Sequence, residues 1–224
     1  ILILSYSDQS DWLVNYFLSL GASEVSNLKI SSSSIANDQN IYDELLSANG
    51  IFIKGGDQSR YVTYWKGTKT EDAIRSVFNS GGVVAGTSAG AMVLSEIVFT
   101  AENSSIYPRE TLINPMSSSV ALDDQFLGLH QNSIFDTHFV ERGRFGRLIG
   151  MLYKYNTETS RKILGIGIDD KTAICIDDMG IGKVFGTGAV SIFQFDDETK
   201  IDRDGNNYKI ENIRCDMLLH DWVF

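Results

Sequence analysis

Short apolar runs alternate with amphipathic segments from Ile1 to Gly90, and that alternation limits the possible folds more than any other feature of the chain. Residues 1–4 read as a strand. Trp12, Leu13, Tyr16, Phe17 and Leu20 follow at helical spacing, and Gly21 stands where a C-terminal cap belongs. "VSNLKI" and "GIFIKGG" read as the next strands, with "IYDELLSA" as a short helix between them. Thr68 and Glu71 predict a capping box ahead of Ala73, Ile74, Val77 and Phe78, which share one helical face. That helix closes at Gly81 and leads into "GVVAG". Strand, helix, strand in this order implies right-handed crossovers and a mostly parallel sheet.

The later pattern changes. "SIFDTHF" predicts a strand, and "RFGRLIGMLYKY" a helix with Phe145, Leu148, Ile149 and Leu152 facing inward. "ILGIGID", "TAICID", "KVFG" and "AVSIFQF" then follow at short spacing, as in an antiparallel continuation. "DRDGNN", residues 202–207, has its glycine two positions too early for a calcium loop and reads as a hairpin turn. With 224 residues and no repeat or low-complexity linker, one domain over residues 1–224 is expected.

Composition removes several functions. A net charge of −10 disfavours non-specific nucleic-acid binding, and no apolar run approaches a membrane span. Cys175 and Cys215 have no metal-ligand spacing, so neither a disulfide framework nor a metal site is expected. No cofactor is expected either. The chain opens on "ILILS" with neither methionine nor a signal-peptide pattern, which points to a fragment or a processed form. The compartment stays open: the cytoplasm is slightly favoured over a secreted form from which a signal has been removed.

The chemistry centres on "VVAGTSAGAM", where a strand breaks into a tight turn and then a helix. Gly86-Thr87-Ser88-Ala89-Gly90 fits a nucleophile elbow, and equally a plain turn with a serine N-cap. An elbow serine needs a base, an orienting acid and an oxyanion hole. Among three histidines, His130 falls in a loop after "FLGL" with a solvated place expected, and His220 in a terminal strand with a half-buried structural role. His138 stands at the carboxyl end of "SIFDTHF", at the sheet edge where sites assemble, and is the candidate base. The Ala89 N–H is one candidate oxyanion donor. The Gly55-Gly56 loop of "IKGGDQ" offers another, unless it is an ordinary glycine turn. Arg142, Arg144 and Arg147 gather near a helix N-terminus, where the dipole does not favour cations. They suit a substrate carboxylate, or pairing with Glu141, Asp169 or Asp170.

Four stretches in order, "GIFIKGGDQSR", "GGVVAGTSAGAMVLSE", "FDTHFVERGRFGRL" and "GIGIDDKTAICID", resemble the cyanophycinase family of serine peptidases, relatives of aspartyl dipeptidase E. They cover most of residues 50–177. The resemblance implies an α/β three-layer sandwich with a mostly parallel central sheet, like the class I glutamine amidotransferases, with the nucleophile on a strand–helix elbow. It implies Ser88 as nucleophile, His138 as base, and Gly56 and Ala89 as the oxyanion hole. Gln58, Asp136, Thr137, Arg142, Arg144 and Arg147 are implied in substrate binding. Glu102 in "FTAENSS" is the implied triad acid, with Glu110 as the weaker candidate. Ile106 stands where cyanophycinases place that glutamate, Thr137 where they usually carry glutamine, and the family's leading Gly-rich strand is absent.

The implied activity is a serine-type exopeptidase acting on aspartyl or β-aspartyl peptides, in a homodimer. The alternative is a catalytically silent, amidotransferase-like binding module. A glutamine amidotransferase is disfavoured, because those enzymes carry a cysteine at the Ser88 position.

Overall fold

The computed structural model describes residues 1–205 and 207–224. Where the sequence pattern predicts one domain, contacts fall into two compact units: residues 1–100 with 123–131, and residues 101–122 with 132–224. Among the described residues, no helix is long and apolar enough to cross a membrane.

The first unit contains β1 (Leu2–Ser5), α1 (Asp11–Ser19), β2 (Ser26–Lys29), α2 (Ser33–Ala36), α3 (Gln39–Leu46) and β3 (Gly50–Ile53). It continues with α4 (Gln58–Trp65), α5 (Lys69–Asn79), β4 (Val83–Gly86), α6 (Ala89–Met92) and β5 (Ser95–Phe99). The expected parallel sheet is present, in the order β2-β1-β3-β4. Leu4 pairs with Ile53 and Ile53 with Gly86, so the carboxyl ends of β1, β3 and β4 lie level. The order reverses between β1 and β3, and such a reversal opens a crevice at the carboxyl edge of an α/β sheet.

Leu4, Ile30, Ile53, Tyr61, Trp65 and Ile74 are fully buried in this unit's core. Trp65 meets the demand of its buried N–H by donating to Ile30 O at 2.9 Å. Asp38 caps α3 by accepting from Asn40 and Ile41 N–H, and Asp57 caps α4 by accepting from Ser59 N–H. The capping box expected at α5 takes another form. Thr68 is the N-cap residue, but its hydroxyl donates to Trp65 O, while Glu71 accepts from Gly67 N–H at 2.7 Å. α1 forms as expected, with Gly21 at φ 98° just past its end, yet it buries only Leu13.

The remaining elements are β6 (Leu122–Asp123), β7 (His130–Thr137), α7 (Pro108–Ile113), α8 (Phe145–Thr159), β8 (Leu164–Ile168), β9 (Thr172–Ile176), β10 (Gly182–Gly186), β11 (Val190–Gln194), β12 (Lys200–Asp204), β13 (Asn207–Glu211) and β14 (Arg214–Leu218). In the second unit β7 runs parallel to β8, with Thr137 opposite Ile168. β11 is antiparallel to both β8 and β14, and β9–β10 and β12–β13 are antiparallel pairs, as the sequence pattern predicts. The turn expected over residues 202–207 includes residue 206, which lies outside the described residues; Asp204 and Asn207 pair on either side. Leu148 and Leu152 of α8 are buried, whereas Phe145, expected inward, is 36% exposed. His130 opens β7 instead of lying in a loop, and burial pushes its pKa down. His220 is exposed and accepts from Gly186 N–H at 3.3 Å.

Candidate active site

Ser88 occupies the corner between β4 and α6 at φ 52° and ψ −121°. A non-glycine residue there is strained by about 1–3 kcal/mol, and the surrounding structure must hold it in place. Ser88 sits at the N-cap position, but its side chain makes no capping hydrogen bond. The corner therefore does not follow the simple serine-cap pattern.

The flanking glycines are dictated by space. A Cβ on Gly86 would strike the Gly90 carbonyl, and one on Gly90 would strike the Ile53 and Lys54 carbonyls at the end of β3. The turn can be this tight only with both side chains missing. Gly55 approaches from the other side, less tightly: a Cβ on it would lie 3.2 Å from Ser88 Cβ. The Gly55-Gly56 loop thus passes directly beside Ser88, with Gly56 at φ 139°. Ala89, buried, opens α6. Gln58 is the first residue of α4, half-buried.

The β1 end contributes at the same edge. Lys54 Nζ approaches Asp8 Oδ2 at 2.7 Å and also bonds Ser10 Oγ. Those contacts, with help from Ser7, bring the Asp8 carboxyl down to about 2.

In the second unit, His138 follows β7 directly, also in the left-handed region at φ 49°. Its Nδ1 is hydrogen-bonded to Asp170 Oδ1. The carboxylate seated on Nδ1 is that of Asp170, which the sequence pattern does not single out as the acid. The reason is topological. β7 and β8 are parallel neighbours, so residues just past their carboxyl ends meet although 32 positions separate them. Glu102 is exposed on the turn after β5, between Ala101 and Ser104, both at positive φ. Glu110 is engaged at the start of α7, accepting from Tyr107 N–H at 2.8 Å. Asp170 is steadied by its own N–H, which donates to Glu141 Oε1 at 3.0 Å. Asp169 accepts from the Val140 and Ala189 N–H groups.

The arginine cluster divides. Asp136 is fully buried, and Arg147, 2% exposed, grips it through Nε to Oδ2 at 2.9 Å and Nη2 to Oδ1. Arg144 adds Nη1 to the same carboxylate at 3.2 Å and to Thr137 O at 2.6 Å. Burial brings the Arg144 guanidinium down to about 10, with Asp136 opposing that shift. Asp136, Arg144 and Arg147 form an internal ionic knot. Thr137 is buried too, with its hydroxyl lacking a hydrogen-bond partner. Arg142 alone of the three arginines is exposed. Among the described residues, no group of three or more His, Cys, Asp or Glu side chains is placed to hold a metal ion.

The chain is 31% identical over 180 residues to the cyanophycinase of Trichormus variabilis, covering 80% of this chain and 56% of that protein. It is 29% identical over 177 residues to the cyanophycinase of Synechococcus elongatus, covering 79% and 51%. The chain thus spans about half the length of these curated relatives. A solved peptidase from an acI-B1 actinobacterium superposes with a TM-score of 0.60 at 22% identity, over 86% of this chain and 76% of that one. A putative peptidase E from Listeria monocytogenes EGD-e gives 0.51 at 21%, over 84% and 85%. These likenesses show an α/β fold with parallel sheets. The model of peptidase family S51 matches residues 8–184, a span that holds the Ser88 corner, His138 and Asp170, and the chain belongs to that family.

Proposed function

We propose that this chain carries the acyl-transfer machinery of a serine-type exopeptidase that hydrolyses aspartyl or β-aspartyl peptides. The observation that carries the reading is Ser88, held at φ 52° on a corner that only Gly86 and Gly90 permit. Such a residue projects its hydroxyl from a rigid edge, which suits a nucleophile. The three-layer, amidotransferase-like arrangement and the homodimer implied by the resemblance belong to the same proposal.

The roles follow from each local geometry. Asp170 accepts from His138 Nδ1–H, which leaves the Nε2 lone pair as the base. Nε2 takes the Ser88 hydroxyl proton as Oγ bonds to the scissile carbonyl carbon. Gly56 and Ala89 N–H donate to the oxygen that becomes negative. The C–N bond then breaks, with the proton passing from His138 to the leaving amine, and a water repeats the sequence to release the acid. Arg142, the exposed arginine, is the cation proposed to receive a substrate carboxylate. In a chain of net charge −10, a local cation counters the field that repels an acidic peptide.

A fluorophosphonate probe tests the reading. Wild-type protein should be labelled once per chain, and folded Ser88→Ala should not. Failure of the wild type to label, with aspartyl peptides left intact, would favour the silent binding module.

A further inference from the structure

At the carboxyl edge of β1 and β3, where the strand order reverses, stands a side chain that no role above uses. Tyr6 follows β1 directly, half-buried, with its ring against the β3 loop. Its hydroxyl accepts from Asp57 N–H at 2.9 Å. The ring lies over Gly56 so closely that a Cβ there would stand 2.8 Å from Tyr6 Oη and 2.9 Å from Cε1. Behind it, Tyr61 meets Tyr6 edge-on at 5.1 Å between centroids and donates its own hydroxyl to Lys54 O at 2.7 Å.

The loop is therefore pinned at both ends. Lys54 N–H is taken by Leu4 O at 3.0 Å and Asp57 N–H by the Tyr6 hydroxyl. The two glycine amides lie between these anchors, and the loop lies against Ser88. Glycine at φ 139° gives this segment little stiffness of its own, because the residue explores backbone conformations freely. The direction of its N–H is set by what surrounds it.

We propose that Tyr6 is a positioning residue for acyl transfer: its hydroxyl, by holding the Asp57 amide, fixes the aim of the Gly56 N–H toward the oxyanion. The inference rests on the serine-hydrolase reading above. Oxyanion donors act through preorganisation, so a donor that wanders loses effect in the transition state more than in substrate binding.

The test is Tyr6→Phe, which keeps the ring over Gly56 and deletes one acceptor. Peptide turnover and the rate of fluorophosphonate labelling of Ser88 should fall about 10- to 100-fold, with KM within about 2-fold of wild type. Amide exchange at Asp57 should accelerate, while the melting temperature stays nearly constant. Tyr61→Phe, which removes the other hydroxyl on the loop, should lower kcat in the same direction with KM held. It serves as the second variant if Tyr6→Phe folds poorly. Wild-type labelling and kcat in both variants would overturn the proposal and leave the hydrolase reading intact. A fall in KM-determined binding alone, with kcat unchanged, would also overturn it. A wild-type protein that takes no label removes the hydrolase reading and this proposal with it.

Discussion

Replacing Arg147 by methionine should destabilise the fold, because the Arg147 guanidinium neutralises a carboxylate that has no access to water. Asp136 is fully buried and holds three arginine contacts, two of them from Arg147. Breaking a buried pair by removing one partner costs about 3–5 kcal/mol. Arg144 remains on Oδ1 after the substitution, so a value near 3 kcal/mol is expected. For a chain of this length that corresponds to roughly 6–12 °C in melting temperature. Asp136→Ala should cost more, since it leaves the buried Arg147 and the half-buried Arg144 without their carboxylate. Arg142→Ala, on an exposed side chain, should shift stability by no more than about 0.5 kcal/mol and instead raise KM for acidic peptides. Urea unfolding followed by tryptophan fluorescence, beside peptide kinetics on the same preparations, reads both quantities. An Arg147→Met protein within about 1 kcal/mol of wild type, but with a large rise in KM, would show that Arg147 serves the substrate and that the ionic knot has been misread.

Three further outcomes are expected. Asp170→Asn should lower kcat by about two to four orders of magnitude by spoiling the histidine tautomer, and Glu102→Gln should change it little; the reverse ranking would return the acid's role to Glu102. Gly90→Ala should unfold or severely weaken the protein, because its methyl meets the Ile53 carbonyl, and a calorimetric melt unchanged from wild type would contradict the packing of the corner. Lys54 holds the Asp8 carboxyl low, so this contribution to stability is complete above the ordinary aspartate value of about 4 and fades as pH falls toward about 2. The stability gap between wild type and Asp8→Asn should narrow across that window, and a gap independent of pH would sink the assignment.

The parts of this molecule readable from sequence are those whose causes are local. The Gly86–Gly90 corner is one, because its glycines answer a clash within five residues and with the adjoining strand end. The strands of the parallel sheet are another, since apolar runs bounded by glycine carry their own signal. The Asp170 contact of His138 is hidden for the opposite reason: it comes from the pairing of β7 with β8, and nothing in the spacing of 32 residues indicates which strands lie side by side. The ionic knot of Asp136 with Arg144 and Arg147 has a signal in the sequence. Asp136 stands inside an apolar strand, and a carboxylate in such a place requires buried cations. The helix after Ser88 is only four residues long, and the apolar run beyond it becomes β5, where hydrophobicity alone does not separate strand from helix. Trp12 and Tyr16 of α1 and its C-cap Leu20 are 67%, 53% and 65% exposed, so the helical period is legible in the sequence while the burial is not.

Ser88 and His138 share a backbone handedness that neither residue type favours, at φ 52° and 49°. In both places glycine, and in milder degree asparagine, would rest more comfortably. On the proposed function, a descendant freed from the need to turn over substrate would gain stability by discarding these two side chains, and random substitution would have a thermodynamic slope to follow. Decay of the proposed activity should then be quick and directional, beginning at Ser88 and His138 and leaving Gly86 and Gly90 in place.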